Sequence, residues 1–218
     1  MYYPWFPRPD VVNRMQISES LPQVGELAAA VLQTLRISNP LTIRDGVTGC
    51  PLKVELQLND ATYDDFELWR TQVMTSNPAV EISRGGSLGQ GMMRIKSEQG
   101  LRAVLASRDG QIVAGLAYHF DELDRCVRVF DSFSADDLSI GTLLSHVVKY
   151  SQEQLGAVFA EMDVVMTSPR MLKTAEQLGF VPVAYMPAFL FLKGSHVDVV
   201  KLAKLNMVYS AEQFTLTN

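Results

Sequence analysis

The chain has 218 residues, 47% hydrophobic, 20% charged and 9% aromatic: enough apolar material for a packed core and too much for a disordered chain. Its net charge of −5, from 19 Lys+Arg against 24 Asp+Glu, argues against a role whose affinity comes mainly from neutralising phosphate backbones, and no Lys/Arg run restores one. There is no apolar window of the ~18 residues that a membrane span needs, and prolines interrupt the first residues where a signal peptide has an apolar helix. The expectation is a protein that neither spans a membrane nor leaves by that route, placed in the cytoplasm or inside a larger assembly such as a virion. Cys50 and Cys126 stand far apart, and His119, His146 and His196 are isolated, so no metal site is expected.

Residues 1–10 hold four aromatics and three prolines, which excludes a regular helix and a central strand. Residues 1–20 therefore read as an extended arm, whose aromatics need a surface to dock on, either on this chain, a second subunit or another protein. Residues 22–36 place Val24, Leu27, Ala28, Val31, Leu32 and Leu35 on one helical stripe, with Pro22 suited to the first turn. Asn39-Pro40 and Asp45-Gly46 mark turns. Residues 52–58 alternate as a half-buried strand that stops at Asn59-Asp60. Residues 62–74 read as a helix with Tyr63, Phe66, Trp69 and Val73 on its apolar face, the alternative being an irregular aromatic cluster.

Residues 84–91 carry four glycines but lack the Gly-Lys-Ser/Thr ending of a phosphate-binding loop, so they read as a plain flexible loop. Arg84, Arg94, Lys96 and Arg102 form only a sparse basic group. From Leu101 three strands follow, residues 101–107, 111–120 and 126–133, joined by Arg108-Asp109-Gly110 and by a turn at 121–124. Then come a helix over 140–155, a strand over 158–166, a helix over 169–178 ended by Gly179, and a strand over 183–192. Helical crossovers between strands of one sheet make those strands parallel, so the sheet is expected to be mixed. Val197, Val200, Leu202 and Leu205 at helical spacing predict a closing helix over 195–205, giving 21–194 as the domain and 195–218 as a C-terminal helix and tail.

This order, with Thr167-Ser-Pro-Arg-Met-Leu-Lys-Thr-Ala-Glu-Gln-Leu-Gly-Phe-Val-Pro-Val-Ala-Tyr185, resembles the GNAT family of acyl-CoA-dependent N-acetyltransferases over roughly residues 101–192. The resemblance implies an α/β fold, a mixed sheet whose antiparallel meander precedes helix, strand, helix and strand, with helices on both faces. In that family a Gln/Arg-x-x-Gly-x-Gly/Ala turn opens a helix whose N–H groups face the pyrophosphate of acyl-CoA. Here the stretch is Asp136-Asp-Leu-Ser-Ile-Gly141-Thr142. Gly141 and Thr142 match, Ser139 replaces the first glycine, and Asp136 replaces the Arg or Gln. Asp136 and Asp137 cap a helix start well and repel a pyrophosphate.

The resemblance implies acetyl-CoA or another acyl-CoA between the strands ending near Phe133 and Met166, contacted by Phe133, Ser134, Ser139, Ile140, Gly141 and Thr142. Ala175 stands where the family's general-acid Tyr is usual, with Tyr185 as a substitute from the next strand. Candidate bases for the amine are Asp131, and Glu161 and Asp163 on the strand after the helix, since carboxylates beside the cleft can take a proton through water. Two functions follow. One is acetyl transfer to a primary amine on a small molecule or protein; the other is a catalytically inactive descendant serving as a binding or structural subunit. The acidic turn, the missing Tyr and the aromatic arm favour the second, while the family resemblance places the acyltransferase first.

Overall fold

The computed structural model describes residues 12–13, 16–17, 22–37, 42–43, 48–76, 100–166, 168–192 and 195–206. The glycine-rich stretch 84–91, Arg94, Lys96 and most of the N-terminal arm lie outside them. The strands are β1 Val12–Asn13, β2 Gln16–Ile17, β3 Thr42–Ile43, β4 Gln57–Ala61, β5 Leu101–Arg108, β6 Gln111–Asp121, β7 Cys126–Ser134, β8 Phe159–Val165, β9 Val181–Leu192 and β10 Ser195–Leu205. The helices are α1 Pro22–Thr34, α2 Tyr63–Ser76, α3 Ser139–Glu153 and α4 Pro169–Gln177. None of the described helices is long and apolar enough to cross a membrane.

Eight strands form one mixed sheet in the order β1-β10-β8-β7-β6-β5-β4, with β9 on the other edge of β10. β4 to β7 make an antiparallel meander, in which Asp109 and Gly110 turn β5 into β6 with φ of 52° and 76°, the positive pair that a two-residue hairpin turn needs. β7 and β8 run parallel across the α3 crossover. β9 runs in the same direction as β8, as its helical crossover requires, but the two are not neighbours, because β10 lies between them antiparallel to both.

The main core lies between one sheet face and α1, α3 and α4, with Leu116, Leu143, Leu144, Leu172 and Val127 almost fully buried. A second, smaller core lies under α2 on the opposite face and joins Phe66 to Leu105, Ala117, Phe130 and Phe133. α2 opens with reciprocal bonds between Thr62 and Asp65, a capping arrangement that fixes its first turn. Its inner face carries Tyr63, Phe66 and Val73, but Trp69 is 36% exposed and Arg70 points inward in its place.

Two sequence expectations are corrected. Residues 195–205 are a strand, not a closing helix. The segment is buried on both sheet faces, so Val197, Val199, Val200 and Leu202 fill apolar space above and below, and their helical spacing is incidental to a run of β-branched residues. The strand expected over 52–58 is paired only from Gln57 to Ala61. Residues 52–58 do alternate in exposure, but β5 ends at Arg108 beside the hairpin, and residues before Gln57 have no strand to pair with among the described residues.

Candidate active site

β7 and β8 are paired only from Cys126↔Phe159 to Val129↔Met162. Beyond that point β7 stays on β6 as far as Ser134, and β8 stays on β10 as far as Val165, so the two strands fork. A bulge at Phe130, between the Tyr118↔Val129 and Ala117↔Asp131 pairs, stands at the fork and re-aims the residues after it. The fork holds a narrow cleft walled by Leu116, Val129, Leu144 and Met171, with Asp131 and Asp163 as its charged members.

These two carboxylates have different surroundings. Asp131 is ion-paired with Arg70 from α2 and accepts the Ser132 N–H at 2.9 Å. Arg70 in turn holds Glu67 at 2.9 Å. Asp163 is only 2% exposed, and neither carboxylate oxygen has a hydrogen-bond partner among the described residues. Lys201 Nζ approaches Oδ1 to 3.2 Å, close enough for ion-pair attraction but off hydrogen-bonding geometry, and it also faces Glu161 at 3.7 Å. Burial pushes the Asp163 carboxyl above the ordinary aspartate value, against the pull of Lys201 and with help from Glu161.

The start of α3 is closed by the chain itself. Asp136 Oδ1 accepts the N–H groups of Leu138 at 2.9 Å and Ser139 at 2.8 Å, donors that a helix tip would otherwise offer to an anion. Arg108 fixes this carboxylate through Oδ2 at 2.8 Å and reaches the Ser139 hydroxyl at 3.3 Å. Burial raises the Asp136 pKa, but the bonds from Ser139, Leu138 and Arg108 outweigh it and leave the carboxyl below its ordinary value. Asp137 ties the same turn to α4 through Arg170 at 2.6 Å.

Residues 49–54 then cross the first turn of α3 and bridge to α4. Cys50 N–H donates to Thr174 Oγ1 at 2.8 Å, and Val54 N–H donates to Thr142 Oγ1 at 3.0 Å. A Cβ on Gly141 would lie 2.5 Å from the Pro51 carbonyl oxygen and 2.9 Å from Cys50 Cβ, so glycine at this position admits the crossing strap. The N–H groups of Leu138 and Ser139 at the tip of α3 are thus already held by Asp136.

The expected site residues therefore divide. Asp131 lies in the cleft. Glu161 is in the paired half of β8, bound to Arg128 at 2.6 Å, and is held there by charge. Tyr185 is buried two strands away from the fork and donates its hydroxyl proton to Asp198, which also accepts the Ala188 N–H at 2.7 Å. Phe133 is core, with its ring 5.3 Å from that of Phe66. Ser134 donates to the Asp136 carbonyl at 2.6 Å, Ser139 and Ile140 are buried, and Gly141 and Thr142 meet the strap.

No protein-family model matches the sequence, and no curated protein is similar to it. Solved structures are. Spermidine N-acetyltransferase from Vibrio cholerae, in a dodecameric structure, superposes with a TM-score of 0.54 at 14% identity over 73% of this chain and 99% of that one. The same enzyme in complex with CoA and spermine gives 0.51 at 15% identity over 69% of this chain and 95% of that one. A probable acetyltransferase gives 0.52 at 14% identity over 73% and 98%. The fold is that of the GNAT acetyltransferases. The Leu178-Gly179-Phe180 signature has the predicted geometry: Gly179 has φ 85°, Phe180 N–H closes back on the Ala175 carbonyl at 3.0 Å, and Phe180 is buried.

Against this GNAT frame, sequence reading missed Arg70, Arg108 and the strap. Arg70 was hidden because an arginine one step from Trp69 reads as the outer face of α2. Arg108 sits beside a hairpin turn, where a charge is unremarkable. The strap had a visible trace: Gly49, Cys50 and Pro51 precede an alternating run, but nothing local says that they cross a helix 90 residues later.

Proposed function

We propose that this chain is an acyl-CoA-dependent N-acyltransferase whose acyl and amine partners meet at the fork between β7 and β8. The carrying observation is the fork itself: two strands that part beyond Val129↔Met162 beside an apolar cleft that presents the carboxylates of Asp131 and Asp163. Where the strands part, main chain on either side of the cleft can face an extended acyl arm, and confinement next to an amine supplies proximity and fixed dipoles. Asp131, steadied by Arg70, is the proposed charged wall of the amine site. Glu161 and Tyr185 are engaged elsewhere, and the proposal gives them no catalytic role. The fold neighbours described as acting on spermidine, and as complexed with CoA and spermine, support an acetyl donor and a primary-amine acceptor here, and the dodecameric neighbour supports a second subunit as partner.

A second reading, a GNAT-fold binding or structural protein without acyl-CoA, is favoured by one specific observation. The Asp136 carboxylate, backed by Arg108, stands where the cofactor's pyrophosphate would need the helix N–H groups. The deciding experiment is calorimetric titration of the full chain with acetyl-CoA beside Asp136→Asn, which removes the charge and keeps an acceptor. Saturable micromolar binding by the parent, followed by acetylation of an amine, supports the enzyme. No binding by the parent, with binding gained in the variant, overturns it in favour of the second reading.

A further inference from the structure

Residues 49–54 lie upstream of the span that carries the GNAT resemblance, yet they pack like core. Cys50 is 6% exposed and belongs to the main core, with its N–H held by Thr174 Oγ1 on α4. Four residues on, Thr142 Oγ1 on α3 accepts the Val54 N–H, and the same hydroxyl reaches the Pro51 carbonyl at 3.4 Å. Gly49 lies so close to α4 that a Cβ there would stand 3.2 Å from the Thr174 nitrogen. Ser139, Ile140 and Gly141, the first residues of α3, are all buried.

Gly141 carries the argument. The GNAT turn takes glycine or alanine at this position, so the shared pattern does not demand glycine. Here a Cβ would meet the Pro51 carbonyl oxygen at 2.5 Å and Cys50 Cβ at 2.9 Å, closer than real Cβ atoms approach, and both obstacles belong to the strap. Two closures therefore coincide at the start of α3: Asp136 takes the Leu138 and Ser139 N–H groups, and the strap lies across the turn that follows. We propose that residues 49–54 are an autoinhibitory strap, which holds the start of α3 closed to acyl-CoA and admits that ligand only when it lifts from Thr142 and Thr174. The proposal rests on the acyltransferase reading for its ligand and adds how that site is regulated. The fastening suits release: among the described residues it consists of neutral hydrogen bonds and close packing, with no ion pair or disulfide. A ligand that binds only the open form must, by linkage, promote opening.

The test uses the full chain and CoA as the probe. Calorimetry reads CoA affinity, and hydrogen exchange at the Cys50 and Val54 amides reads the strap. Gly141→Ala keeps a residue that the GNAT turn accepts and displaces the strap; Thr174→Val frees its α4 end and serves if the first variant fails to fold. Each is made in the parent and in Asp136→Asn, so that the carboxylate cannot mask the strap. Both are expected to speed exchange at Cys50 and to bind CoA about tenfold or more tightly than the chain with its strap intact. CoA added to the intact chain is expected to speed exchange at Cys50 and Val54. Faster exchange with unchanged CoA affinity in both backgrounds overturns the proposal, as does CoA binding to the intact chain that leaves both amides protected. Acetylation of an amine is read separately: a loosened chain that gains CoA but transfers no acetyl group supports the strap and fails the acyltransferase reading.

Discussion

Replacing Asp136 by alanine removes the acceptor shared by the N–H groups of Leu138 and Ser139 and strips Arg108 of its partner. Bonds of this kind at a helix start contribute about 0.5–2 kcal/mol. The Arg108 pair, with side chains 33% and 26% exposed, adds no more than ~1 kcal/mol after solvent screening. The total is about 1–3 kcal/mol, which for a chain of this size lowers Tm by roughly 2–12 °C. Asp136→Asn retains acceptors for both N–H groups and should lose less than half as much.

The pH dependence has a definite sign. Burial raises the Asp136 pKa, the hydrogen bonds lower it further than that, and the net value lies below the ordinary one. Its stabilisation is therefore fully present above the unfolded value of about 3.9 and disappears as pH falls through the lower folded value. Scanning calorimetry of parent and Asp136→Ala should give a constant gap between about pH 6 and 8 that closes below about pH 4. A gap absent at neutral pH, or one unchanged in acid, refutes the assignment of Asp136 as the internal anion at the tip of α3.

Thr174→Val keeps shape but removes the acceptor of the buried Cys50 N–H, at a cost of about 1–3 kcal/mol. Hydrogen exchange at the Cys50 amide should quicken while the middle of α3 is unaffected; an unchanged Cys50 rate would mean that the strap is held elsewhere. Asp163→Asn should raise stability by up to about 1–3 kcal/mol at pH 8, since Lys201 retains Glu161 while the buried charge is gone. An acid with a raised folded pKa loses stability as pH rises from the unfolded value to the folded one, so the gain should vanish below about pH 4 in urea titrations. Tyr185→Phe takes one donor from the buried Asp198 and should cost about 1.5–3 kcal/mol by chemical denaturation without altering acetyl-CoA binding. A loss of binding there would return Tyr185 to the site.

Local signals in the sequence found the meander, both crossover helices and the Gly179 stop, because each rests on contacts within a few residues: the Asp109-Gly110 turn, the 3.6-residue stripe of α3, the left-handed glycine. They failed at β10, where a strand buried on both faces shows no alternation and shares its valine spacing with a helix. In the site, Asp131 and Asp163 were readable as carboxylates on strands beside a cleft. Gly141 and Thr142 were expected to contact a cofactor; in the fold they meet residues 49–54.

The sequence by itself determined the element order from β5 to β9 and the GNAT-like end of the fold, since helix stops, hairpin turns and amphipathic faces are properties of short stretches. Tertiary structure alone decided which carboxylate is left unsatisfied, which is held by arginine and which caps a helix. Those outcomes depend on strands and helices brought together from distant parts of the chain: Arg70 to Asp131, Arg108 to Asp136, Arg128 and Lys201 to Glu161, leaving Asp163 buried in the fork beside Lys201 without a hydrogen bond among the described residues. Burial and pairing set the charge state and reactivity of an acidic side chain, and neither is encoded in the residues beside it.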